Sequence, residues 1–327
     1  MKLSFNLLSA IMLLALLSPL ASATAATTVS ISNENLSVRL DLLGAQLRSI
    51  HHPATDVEYL WQGHPDYWIQ RAPNMFPVCV RFKDDRFTYR GDEYTMPFLG
   101  LAHTADFATT TLARHRVVQT MESTPATREY YPFDFKINIV SELDGLTLTQ
   151  RYEVTNTGDN TLYFALGGHP GFNTPITNGR TRDDYDLVFS KRLTTTRPWV
   201  IDGLIQTDLT AFLNNEDRLS IGDPRVPPSG MFLRDHASRQ IGIGRTGRPP
   251  YVTVDLGDFP NTNIWTPPGM PYACIEPMLG HHDLQETPEA IEDKSFLISL
   301  PADQTHTYTY TITINPNEGA AALRSAE

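Results

Sequence analysis

Cysteine is nearly absent: the 327 residues include two, Cys79 and Cys274. Two thiols in a chain this long do not make a disulfide scaffold, and their separation is not that of a zinc motif. The expectation is two buried free thiols, with a bond between them as the alternative. Positive charge is also scarce. Lys and Arg number 26 against 37 Asp and Glu, for a net charge of −11. That balance argues against nucleic acid or an anionic membrane surface as a partner. Sustained 3.6-residue periodicity is missing, which excludes a helical bundle. The phosphate-binding loop, the dinucleotide glycine fingerprint, the nucleophile elbow and the HExxH metal motif are missing too. With them go the chemistries they carry.

No apolar run is long enough to cross a bilayer comfortably. The longest, residues 7–17, follows Lys2 and precedes Ala21-Ser22-Ala23. A charged start, a short apolar core and a small-x-small site define a secretory signal over 1–23. No cysteine follows it, which argues against a lipid anchor. Residues 1–23 carry one lysine and no acid, so the cleaved chain would stand at −12. The expected protein is exported, periplasmic or secreted.

What is present is strand and turn. Residues 135–158 read as two alternating strands joined at Leu143-Asp144-Gly145-Leu146, with Asp-Gly as the turn signal. Similar short runs recur along the chain: TVSIS, LSVRLDL, VCVRF (78–82), YDLVFS, YVTVDL, NIWT, YACIEP and HTYTYTITI. Helix is expected only in short pieces, such as 288–293. Many short strands without a linker between them predict one all-β domain over 28–316, a large antiparallel sandwich or a barrel. The small and polar residues 317–327 read as a tail.

Three polar residues interrupt apolar segments. His169 lies in Ala165-Leu166-Gly167-Gly168-His169-Pro170-Gly171-Phe172, where Pro170 holds it extended and the glycines admit close neighbours. It is either a turn or core histidine, or a functional one. Glu276 in Ala273-Cys274-Ile275-Glu276-Pro277 is a carboxylate in a strand suited to burial. Burial would raise its pKa toward that of a general base, whereas a strand end would turn it to water. Arg81 closes the apolar run from Phe76. It can fork onto hydroxyls or make a surface ion pair. Arg71 is the weaker second arginine.

Together these segments resemble the aldose 1-epimerase (galactose mutarotase) superfamily, most closely its short bacterial branch. The matching stretches are Gly44-Ala45-Gln46-Leu47, Glu58-Tyr59-Leu60-Trp61 with Tyr67-Trp68, and Arg71 through Arg81. Gly167 through Phe172 matches the catalytic histidine motif. Trp265, Cys274 through Pro277 and Gly280 through Asp283 match the catalytic glutamate motif. The resemblance implies a large antiparallel β-sandwich that interconverts the α and β anomers of a free aldose. Glu276 would be the base and His169 the acid, exchanging roles on ring closure, with no metal and no organic cofactor. Arg81 and Arg71 would hold sugar hydroxyls. Phe172 would lie against an apolar sugar face or else pack in the core. Asp283, or an acid within 202–223, would complete the site. The implied partner is a monosaccharide, and the chain is expected to act as a monomer or weak dimer. A sugar phosphate is disfavoured by export.

The chain departs from the family's pattern in one place. Where the family carries a substrate-binding histidine, the matching stretch reads Leu99-Gly100-Leu101-Ala102-His103. Val80 likewise stands where a glycine precedes the arginine. His103 could replace the lost histidine only if residues 99–103 form a regular strand, and then from roughly 13 Å along it. Leu99 therefore motivates a second reading, an exported sugar-binding protein without turnover.

Overall fold

The computed structural model describes residues 27–201 and 204–317. The expected signal segment, and the tail from residue 318, lie outside the described residues. Strands dominate, as their alternating sequences require. The largest sheet has nine strands. Its order in space runs 204–220, 185–201, 240–245, 250–255, 305–314, 147–156, 135–144, 116–122 and 108–113. Every neighbouring pair in it is antiparallel. The hairpin expected at 135–158 forms with Asp144 opposite Thr147, so Gly145-Leu146 is its two-residue loop. Gly145 has φ 54°, a conformation glycine adopts without a steric cost.

A second sheet of six strands packs on the first. Its central strand, Tyr272–Leu279, is flanked by Asn261–Trp265 on one side and by Leu166–Gly168 and Gly171–Asn173 on the other. Side chains from the nine-stranded sheet cross to it. The Tyr152 hydroxyl donates to Asn74 Oδ1 at 2.6 Å, and the Tyr310 hydroxyl lies 2.5 Å from where a Cβ on Gly168 would sit. Large apolar residues of both sheets form one continuous core. A four-stranded sheet over residues 28–58 leads into it.

Period-two alternation sorts the central strand. Ala273 and Ile275 point into the main core. Tyr272 and Cys274 join Trp61 in a separate aromatic cluster, against which Trp68 and Trp265 pack. Glu276 follows in the same alternation, so it belongs to the face turned away from the core. That face carries the candidate site.

One expected strand is absent. Residues 78–82 form a series of bends rather than a strand. Val80 has φ 65° and Leu99 φ 63°, and the Leu99 amide donates to the Val80 carbonyl at 2.7 Å. The apolar run is buried by packing under the 97–102 segment instead of by a ladder. Residues 99–103 likewise are no strand. Gly100 is left-handed and Ala102–Thr104 is a 3₁₀ turn. The missing regularity removes the premise on which His103 could stand in for position 99. The short helical piece near 288–293 is a 3₁₀ turn at Ile291–Asp293.

Candidate active site

His169 is held between the 71–73 segment and the strand Tyr272–Leu279. Its amide donates to the Pro73 carbonyl at 3.1 Å, the Gly171 amide donates to Arg71, and the Ile275 amide donates to Pro170. A Cβ on Gly171 would stand 2.8 Å from the Trp68 ring, and one on Gly168 would meet Tyr310. The glycines around the histidine thus serve close approach. The imidazole packs against two indoles that also touch each other, their centroids 5.4 Å apart. Trp68 is tilted over it with centroids 5.0 Å apart, and Trp265 meets it edge-on at 5.7 Å. One tilted and one edge-on aromatic contact restrict the ring's orientation.

Glu276 is fully buried. Its Oε1 lies 3.4 Å from His169 Nε2 and accepts from Asn263 Nδ2 at 2.9 Å. Asn263 sits directly opposite Glu276 in the ladder, as Trp265 sits opposite Cys274. The second carboxylate oxygen, Oε2, is buried with no hydrogen-bond partner. Burial pushes the Glu276 carboxyl well above the usual range, opposed by the Asn263 hydrogen bond. Burial lowers His169 to about 4. Both shifts have one cause: neither charge is well solvated here. Burial thus favours the neutral form of each group.

The pair lines a cavity of about 270 Å³. Trp68, Val80, Phe98, Leu99 and Trp265 make its apolar walls; Gln70, Ser229, Asn263 and His282 add polar groups. The volume suits one sugar ring rather than a long chain. The fold brings together His169 and Glu276, and places Leu99 and Val80 on the wall beside them.

The other sequence candidates lie elsewhere. Phe172 is fully buried in the main core, paired in the sheet with Ala273, and offers no face to the cavity. Asp283 is buried in an ion pair with Lys294 at 2.7 Å and accepts the Lys83 amide. It lines a different hollow, at Lys83–Arg86 and 285–289. Arg81 pairs with Asp85 at 3.1 Å, lies 5.8 Å from the centre of the Phe98 ring and is absent from the cavity lining. Arg71 points toward the 28–58 sheet, where Arg48 and Asp41 are its main electrostatic neighbours. His103 runs its backbone close to Gly44 and is absent from the cavity lining. Both cysteines are free and buried.

Gln70, Phe98, Ser229 and Asn263 are cavity residues that the sequence reading did not single out. Asn263 had a legible signal, since Asn261-Thr262-Asn263 places amides inside a strand otherwise fit for burial. Ser229 had none, because it reaches the cavity from a loop.

The two-layer antiparallel sandwich thus carries a buried carboxyl–imidazole pair in a cavity of about 270 Å³. The chain belongs to the aldose 1-epimerase family, which it matches over residues 27–313. It is 29% identical over 279 residues to the plasmid-encoded protein LacX of Lactococcus lactis subsp. lactis, covering 82% of this chain and 92% of that protein. Among solved structures, it resembles a galactose mutarotase related enzyme from Lactobacillus acidophilus with TM-score 0.81 and 26% identity, over 88% of this chain and 97% of that one. A galactose mutarotase-like protein from Lactobacillus casei ATCC 334 shares the fold at TM-score 0.80 and 23% identity, over 88% and 100% of the two chains.

Proposed function

We propose that the protein is an exported mutarotase that interconverts the anomers of a free aldose by acid–base ring opening. The observation that carries this is the contact between His169 Nε2 and Glu276 Oε1, 3.4 Å apart on the cavity floor. Anomer exchange needs one group to take the proton from O1 and another to give one to O5. The C1–O5 bond then breaks, C1–C2 rotates, and the open aldehyde closes on its other face. Two groups sharing one proton suffice, because closure returns what opening moved.

In this reading Glu276 is the base and His169 the acid. Sugar hydroxyls join Asn263 in donating to the carboxylate and stabilise its charge, so the proton passes to the imidazole when substrate binds. Trp68 and Trp265 restrict the ring's orientation for that transfer. Asn263 and Gln70 offer amide donors to sugar oxygens from the cavity lining. Polarimetry of freshly dissolved α-D-glucose and α-D-galactose tests the reading. Acceleration over buffer should fall by about 100-fold or more in Glu276→Gln and in His169→Ala. No acceleration with any aldose of a broad panel would overturn it.

Leu99 and Val80 on the cavity wall favour one second reading, a sugar-binding protein that does not turn its ligand over. Calorimetric binding without rate enhancement is the result that would select it.

A further inference from the structure

Glu276 is a buried carboxylate whose only ion-pair partner among the described residues is the imidazole of His169. Its Oε2 is wholly buried and makes no hydrogen bond. One position along the same face of the strand is Cys274, also fully buried. The Cys274 Sγ, one nitrogen of His169 and one oxygen of Glu276 all lie within 4.8 Å of one another. Thiolate, imidazole and carboxylate are the ligands zinc takes. We infer that these three side chains form a binding site for a zinc-class divalent cation, with its fourth position open to the cavity.

The geometry favours a tetrahedral ion. Bonds of about 2.0–2.1 Å to nitrogen and oxygen require those two atoms to stand roughly 3.4 Å apart. His169 Nε2 and Glu276 Oε1 are 3.4 Å apart. A sulfur at about 2.3 Å requires edges of roughly 3.6 Å, so the thiol closes in by little more than about 1 Å. Asn263 Nδ2, already bonded to Glu276 Oε1 at 2.9 Å, orients the carboxylate from outside the ligand set. Binding replaces both the thiol proton of Cys274 and the carboxyl proton that burial favours on Glu276, and releases the two protons to solvent, so the step balances without a redox partner. The cation supplies the positive charge that the buried carboxylate lacks.

Metal binding itself is independent of the proposed mutarotation. Its consequence rests on that reading: a bound ion occupies both the acid and the base, and so blocks ring opening. Zinc would act as an inhibitor of the site and not as its cofactor.

The test titrates cobalt(II) into the chelator-stripped full chain. The expected result is one equivalent bound, visible bands of tetrahedral strength and a near-ultraviolet thiolate-to-cobalt band. Cys274→Ser should abolish the near-ultraviolet band and weaken binding by about 100-fold or more, while Cys79→Ser keeps both. Glu276→Gln should weaken binding yet retain the thiolate band at saturating cobalt. Circular dichroism shows that each variant is folded. Weak octahedral bands, a thiolate band that survives Cys274→Ser, or one lost in Cys79→Ser would overturn the inference. Mutarotation without metal binding defeats this inference alone. Metal binding without mutarotation defeats the proposed activity alone.

Discussion

Lys294 and Asp283 show what a single buried charge costs. Both side chains are essentially inaccessible, joined at 2.7 Å, and the ammonium also lies 4.8 Å from the centre of the Phe82 ring. Burial raises the Asp283 carboxyl and lowers the Lys294 amine, each partly offset by the other. Removing one partner strands the other in a low-dielectric site. Lys294→Met should therefore destabilise the protein by about 3–5 kcal/mol in urea unfolding. The double variant Lys294→Met with Asp283→Asn should recover most of that loss. Asp283 was a candidate to complete the sugar site on sequence grounds. Its acid type was legible, but its lysine partner is a matter of how two loops meet.

At the level of strands, the six-stranded sheet works because its histidine segment lacks side chains where the nine-stranded sheet comes close. Gly168 faces Tyr310 so closely that a Cβ would stand 2.5 Å from the hydroxyl. Gly168→Ala should thus push the segment outward, lowering both thermal stability and mutarotation. Gly168→Ala combined with Tyr310→Phe should recover part of each, since the ring carbons at 2.9 Å remain. A double-mutant cycle on melting temperature and polarimetric rate measures the coupling. The hairpin at 135–156 and the alternation of the central strand were readable, because local pattern alone sets them. The bends at 78–82 were not. An apolar run of that composition suits a buried strand equally well, and only the 97–102 segment packed against it decides otherwise.

For the molecule as a whole, buried neutral histidines set the response to acid. His236 and His281 are each lowered to about 4, chiefly by burial. Arg239 adds to the effect at His236 and Arg234 at His281, while Asp235 opposes both. The unfolded chain takes up protons near pH 6.5 that the folded protein refuses until about 4. Stability is therefore full above pH 6.5 and declines as pH falls through that window. The melting temperature should drop steadily between pH 7 and pH 4.5. His236→Gln should flatten the slope, and an unchanged slope would refute this assignment.

Composition and two-residue alternation determined the all-β class and the antiparallel hairpins, while the resemblance to the family's motifs pointed to His169 and Glu276. Those properties depend on neighbours along the chain, so the order of residues contains them. Which arginine, histidine or phenylalanine reaches the sugar-sized cavity was decided only in three dimensions. Phe172 turns into the core, Arg81 pairs with Asp85 and His103 stays out of the cavity lining, while Asn263 and Ser229 enter the cavity from separate segments. The strand that carries Glu276 shows why. Alternation says that Cys274 and Glu276 share a face, but the crossing of two sheets determines which face holds the core and which is left for His169.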